Sequence, residues 1–186
     1  MTSPKYVRLI GEAGKGPVIV ILRGGTSASK SAALLAKAFR VVNFAIDPAA
    51  AVGEAAKELA SALDGMKVTH AEIVADTATG AVAIAVASVH PELVQSVALL
   101  SPADVGDVSS LKVPVLALFG TTNAARSPGA AKALCKSIPN CRLVYVYDAD
   151  RAVDDERPEA VAAALEDFAL RREGYLVNAR RGNLYP

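Results

Sequence analysis

The sequence predicts an α/β fold: a three-layer α/β/α sandwich around a mostly parallel, twisted sheet of about seven strands. Two observations predict it. Short apolar, β-branched runs alternate along the whole chain with longer alanine-rich segments whose apolar residues recur at helical spacing. Some of those runs, Val18-Ile-Val-Ile-Leu22 above all, are apolar at every position, the mark of a strand covered on both faces. Strands and helices in that alternation close into right-handed βαβ units.

Each element has its own reason. Tyr6–Ile10 alternates in polarity, as an edge strand does, and Gly11–Pro17 is a turn. Val18–Leu22 is the first buried strand; Arg23-Gly-Gly-Thr-Ser27 ends it, and Ala28–Phe39 has helical spacing. Val41–Ile46 is a strand stopped by Asp47-Pro48, and Ala49–Leu63 a helix with Gly65 just past its end. A strand over about Ala71–Val74 runs into a helix at Ala78–Val89, which His90-Pro91 closes because proline disfavours helical geometry in the residue before it. Val97–Leu100 and Val113–Phe119 are strands, the second ending at Gly120-Thr-Thr-Asn123. Pro128–Ile138 is a helix with proline in its first turn, Cys141–Tyr147 the last strand, and Asp148–Glu156 an acidic, solvated loop. Arg157-Pro158 opens the final helix, which runs to about Arg171.

At 186 residues and 52% hydrophobic, the chain suffices for one globular domain with a sizeable core, expected over residues 1–171, with 172–186 as a tail. A formal net charge of +1 sets up no field favouring nucleic acid or an anionic membrane. The N-terminus lacks the pattern of a signal peptide, and no apolar run reaches the roughly 18 residues of a membrane span. A cytoplasmic protein is therefore the expectation. Cys135 and Cys141, six apart with no histidine at metal-ligand spacing, read as reduced packing residues, and no metal or cofactor is expected.

Chemistry concentrates in Glu72-Ile-Val-Ala-Asp-Thr-Ala-Thr-Gly-Ala81, a strand, a small-residue turn and a helix. That arrangement resembles a nucleophile elbow, Gly-x-Ser-x-Gly, with Ala75, Thr77 and Thr79 in the Gly, Ser and Gly places. The remaining loops extend the likeness. Gly16–Thr26 is similar to a strand followed by a His-Gly-Gly-Thr oxyanion loop, Phe39–Val42 to the strand after it, and His90–Val94 to the segment behind the elbow helix. Leu111–Thr121 and Ile138–Val144 match the strands that lead to an acid and to a histidine, and Glu156–Glu159 the start of the terminal helix. In that order they resemble the α/β-hydrolase family, in a form without a cap, since Ser101–Leu111 has no room for one.

The resemblance places the nucleophile at Thr77, the acid at Asn123 and the general base at Arg151, with Arg23 where a histidine opens the oxyanion loop. A hydroxyl nucleophile needs a neighbouring base, and a guanidinium stays protonated. His70 precedes the elbow strand and His90 follows the elbow helix, so both belong at the wrong end of the sheet. The expectation is thus a catalytically inactive domain kept for binding or assembly, with Thr77 reduced to a turn residue whose hydroxyl caps the next helix. An esterase-like hydrolase acting through Thr77 is the alternative, Asp76 being a further candidate nucleophile. A positive φ, usual at an elbow, is costly for a β-branched residue, so Thr77 implies a relaxed or a strained turn.

Arg23 and Arg151, beside the N–H groups of Gly24 and Ala78 and flanked by Gly25 and Asp76, form a candidate site for a small carboxylate or phosphate. The competing reading pairs these arginines with Asp76, Asp148 or Asp150 and plugs the pocket. Gly24–Ser31 resembles a P-loop but has Ser29 where that loop needs glycine. From Arg171 onward, four arginines accompany Tyr175, Leu176, Val177, Leu184 and Tyr185. These are interface-type residues, and Tyr175 to Tyr185 is the expected contact with a protein partner or a second copy.

Overall fold

The structure, a computed structural model, describes residues 5–123 and 127–172; the tail contact expected over Tyr175 to Tyr185 lies outside the described residues. Among the described residues the elements follow one another as β1 (Val7–Ala13), β2 (Val18–Arg23), α1 (Ala32–Leu35), β3 (Arg40–Ile46), α2 (Val52–Gly65), β4 (Ala71–Ala75), α3 (Gly80–Val89), β5 (Val94–Leu100), β6 (Val115–Gly120), α4 (Pro128–Ser137), β7 (Cys141–Val146), α5 (Val153–Glu156) and α6 (Pro158–Arg171).

The strands form one seven-stranded sheet in the order β1-β3-β2-β4-β5-β6-β7. Only β1 is antiparallel, running along β3 at the edge the alternating sequence implied. The other pairs are parallel, and β4, the strand of the elbow, holds the central place. Its five residues are all buried, which is why the sequence there has no polar–apolar alternation.

Helices cover both faces. Val20, Leu22, Ile73, Ala75, Val97 and Leu99 point toward α2 and α3, in a cluster with Leu59, Leu63, Ile84 and Val86. Ile19, Ile21, Val74, Ala98, Leu116 and Leu118 point the other way, toward Leu35 of α1 and Val161, Leu165 and Phe168 of α6. Successive residues of a strand thus serve opposite cores. Among the described residues no helix is long and apolar enough to cross a membrane.

Several local expectations change. The helix expected over Ala28–Phe39 shrinks to Ala32–Leu35. Its start is fixed when the Lys30 and Ser31 N–H groups donate to Asp154, and beyond Leu35 the chain tightens into i→i−3 bonds, Lys37 to Leu34 and Ala38 to Leu35. The acidic loop is not merely solvated: it contains α5, and Asp154 within it is 2% exposed. Cys135 and Cys141 are not reduced but joined in a disulfide, since the turn between α4 and β7 brings their Cα atoms to 5.4 Å. Arg172, assigned from sequence to the tail, is tied to the sheet: its Nε donates to buried Glu72 on β4 at 2.8 Å and its Nη2 to Gln95 at 2.7 Å. Burial raises the Glu72 carboxyl above its ordinary range, with the Arg172 hydrogen bond and charge opposing that shift.

Candidate functional site

In a parallel sheet the loops at the carboxyl ends of the strands converge on one surface. Here β2 delivers Arg23 and Gly24, β4 delivers Asp76, Thr77 and Ala78, and the segment after β7 delivers Arg151, Asp154 and Asp155. A cavity of about 90 Å³ lies among them, lined by Arg23, Asp76, Thr77, Leu100, Arg151 and the α5 segment. Small-molecule pockets run from about 300 Å³ upward, so this space suits a few waters or one small ion.

Its walls are closed by charge. Asp76 Oδ2 accepts from the Gly24 N–H at 2.9 Å, and Oδ1 from the Ala78 N–H at 3.0 Å. The Thr79 hydroxyl accepts from the Asp76 N–H at 3.0 Å, and its own proton lies between Asp76 Oδ1 and the Leu22 carbonyl, each at 3.0 Å. Arg23 reaches three carboxylates: Asp76 at 3.8 Å, Asp154 at 3.2 Å and Asp155 at 3.2 Å. Its side chain is 12% exposed and that of Asp154 only 3%, so this is a largely desolvated cluster, where removing one partner strands the others. Asp154 also accepts the Lys30 and Ser31 N–H groups at 3.0 and 3.2 Å, which puts a carboxylate where the P-loop-like segment would hold an anion.

Gly24 is required by proximity: a Cβ there would lie 2.6 Å from the Ala78 Cβ. That contact lets one carboxylate span both N–H groups. The turn itself is relaxed. Among the described non-glycine residues positive φ occurs at Lys67, Ser101, Asn140, Asp148 and Arg172, and neither Asp76 nor Thr77 is among them. Thr77 does not cap α3; its hydroxyl points across to the Leu100 carbonyl at 3.5 Å, while Asp76 accepts from the Ala78 N–H and the Thr79 hydroxyl in the turn before α3.

The loops expected to carry an acid and a base are fused. The Thr122 N–H and hydroxyl both donate to the Ala149 carbonyl, at 3.0 and 2.8 Å, and the Asp148 N–H donates to Thr121. A Cβ on Gly120 would meet the Ala149 oxygen at 2.0 Å. Asn123 follows this junction and is not among the residues lining the cavity, whereas exposed Arg151 is. His70, bonded to Thr69, precedes β4, and His90, beside Glu92, ends α3, so both lie at the opposite end of the sheet.

No protein-family model and no curated protein matches the chain by sequence. Solved structures do match. An alpha/beta hydrolase enzyme from the sediment metagenome of the Mar Chica lagoon, Morocco, is 18% identical with a TM-score of 0.74, over 91% of this chain and 98% of that one. The chain has the α/β-hydrolase fold. An enol-lactonase from Burkholderia xenovorans shares it at 18% identity and a TM-score of 0.73, over 89% and 96% of the two chains. So does a thermophilic esterase from Thermogutta terrifontis, at 15% identity and 0.75, over 88% and 93%.

Within this hydrolase fold the site brings together Arg23, Gly24, Asp76, Thr77, Ala78 and Arg151. It leaves Asn123 apart and turns Gly25 toward a separate groove, which Lys5, Tyr6, Arg8 and Asp47 line. Sequence reasoning paired the arginines with Asp148 or Asp150; the actual partners of Arg23 beyond Asp76 are Asp154 and Asp155, while Asp148 turns to Arg157 at 3.7 Å. The signal for them was the run Asp154-Asp155-Glu156 just before the last helix. The Glu156 carboxylate folds that loop back by accepting the Asp150 and Ala152 N–H groups, which aims Asp154 inward.

Proposed function

We propose that this chain is a hydrolase-fold protein without hydrolase chemistry, retained for binding or as a subunit of an assembly. One observation carries the reading: the Asp76 carboxylate accepts from both Gly24 and Ala78, the two N–H groups an oxyanion would use. A substrate carbonyl entering there meets a fixed negative charge where negative charge must develop. Thr77 has no histidine within the site, and arginine cannot take its proton. The partner-binding element is the segment Tyr175 to Tyr185, whose tyrosines, leucines and arginines are of interface type.

The test is turnover of an activated ester by wild type and by Thr77→Ala. Equal rates at background level are expected; measurable turnover lost in Thr77→Ala would establish the esterase reading, which the esterases and lactonase among the structural neighbours support. For assembly, light scattering on the full chain and on a chain ending at Arg172 is expected to show a larger species only for the former. A second reading, a small-anion site, has its support in Arg151, which is exposed at the cavity and makes no ion pair among the described residues. Millimolar phosphate or acetate raising the melting temperature of wild type but not of Arg151→Ala would establish it.

A further inference from the structure

Away from the site, Cys135 stands in the last turn of α4 and Cys141 opens β7, and their disulfide staples the turn between the two elements. Both residues are half-buried, and Cys141 packs against the edge of the core. They line an open groove of about 680 Å³ with Ile138, Leu143 and Tyr145, beside the cations Lys132, Lys136 and Arg142. Among the described residues no Asp or Glu lines this groove, although residues 1–170 carry 18 acidic against 16 basic side chains. Arg142 Nε is buried there with no hydrogen-bond partner among the described residues. Positive charge is therefore gathered locally around a reachable sulfur–sulfur bond.

Disulfide exchange proceeds by attack of a thiolate, and its rate depends on access and on how well the departing sulfur carries negative charge. A groove walled by three cations raises the local concentration of an anionic thiol and favours the departing thiolate. We propose that Cys135–Cys141 is an exchangeable disulfide, opened on the native protein by small anionic thiols that this groove attracts. The thiolate of such a molecule attacks one of the two sulfurs; a mixed disulfide forms as the Cys135–Cys141 bond breaks, and the displaced cysteine leaves as a thiolate. A second small thiolate attacks the mixed disulfide, releasing the small-molecule disulfide and the remaining cysteine. Two small thiols are oxidised, the protein gains two electrons, and the protons of the two thiols end on Cys135 and Cys141. Opening frees the end of α4 from β7, a strand that pairs only with β6 among the described residues.

The test compares thiols of different charge on the folded, full-length protein: mercaptoethanesulfonate (anionic), 2-mercaptoethanol (neutral) and cysteamine (cationic), at equal thiolate concentration and low salt. Opening is read by alkylation and mass, and circular dichroism monitors the fold. The expected result is labelling of both cysteines on folded protein, with the anionic thiol at least about threefold faster than the cationic one. The advantage should vanish in 0.5 M salt and reverse in Lys132→Glu/Lys136→Glu. Two free thiols in protein purified in air, labelling only after unfolding, or rates indifferent to thiol charge in wild type would each overturn the proposal.

Discussion

Replacing Asp76 by alanine tests how the site is held closed. The carboxylate accepts two backbone N–H groups at 2.9 and 3.0 Å, is within 3.0 Å of the Thr79 hydroxyl and neutralises part of Arg23, with its side chain 21% exposed. Alanine leaves those donors facing one another across a gap that Gly24 and Ala78 keep narrow. An unsatisfied buried donor costs about 1–3 kcal/mol, but water reaches this side chain and the losses overlap. A total of about 3 kcal/mol follows, equivalent to a melting temperature lower by about 6–12 °C for a domain of this size. Urea denaturation monitored by circular dichroism measures it. Formate, which can occupy the vacated cradle, is expected to restore part of the loss in Asp76→Ala and to do nothing for wild type. A destabilisation below about 0.5 kcal/mol, with no response to formate, would refute the assignment of Asp76 as the occupant of that cradle.

Three further outcomes are expected. Arg172→Ala strands Glu72 in the sheet; because burial raises its carboxyl, the folded state favours the protonated form, and stability falls as pH rises through that raised value. Since Arg172 is 41% exposed, the loss should be about 1–2 kcal/mol at pH 7 and close to zero at pH 4, by urea titration at both. Gly120→Ala drives a methyl group against the backbone oxygens of Ala149 and Asp150, at 2.0 and 2.3 Å, and should cost about 3 kcal/mol or more, visible as lost soluble yield. Replacing both Cys135 and Cys141 by serine removes a short covalent ring and should lower stability by about 2 kcal/mol in non-reducing buffer, with wild type under a dithiol reductant falling to the same value.

The sheet was legible because burial on two faces forces a composition that alternation cannot mimic: Val18–Leu22 has no polar residue, and Ala71–Ala75 has only Glu72, which Arg172 pairs. The site was less legible, because the atoms that close it are brought together by topology and not by spacing. Asp154 and Asp155 look like a solvated acidic run until the loop before α5 folds inward on Glu156, and Thr79 looks like a lapsed glycine until its hydroxyl is seen bridging Asp76 and Leu22. The disulfide escaped for a related reason. Two cysteines six apart say nothing of pairing until α4 is known to end at Ser137 and β7 to begin at Cys141.

The clamp on Arg23 also has a consequence for how the protein is made. Arg23 and the N–H groups of Lys30 and Ser31 find their carboxylates 123 to 132 residues later, on α5. A chain emerging from the ribosome therefore has Asp76 alone to set against Arg23, and an open helix start, until most of its length has been synthesised. Loop closure over such a span comes late, after the nearer strand pairs have formed. Closure of this cluster therefore waits for α5: every fragment lacking it leaves Arg23 without Asp154 and Asp155, and the Lys30 and Ser31 N–H groups without their acceptor.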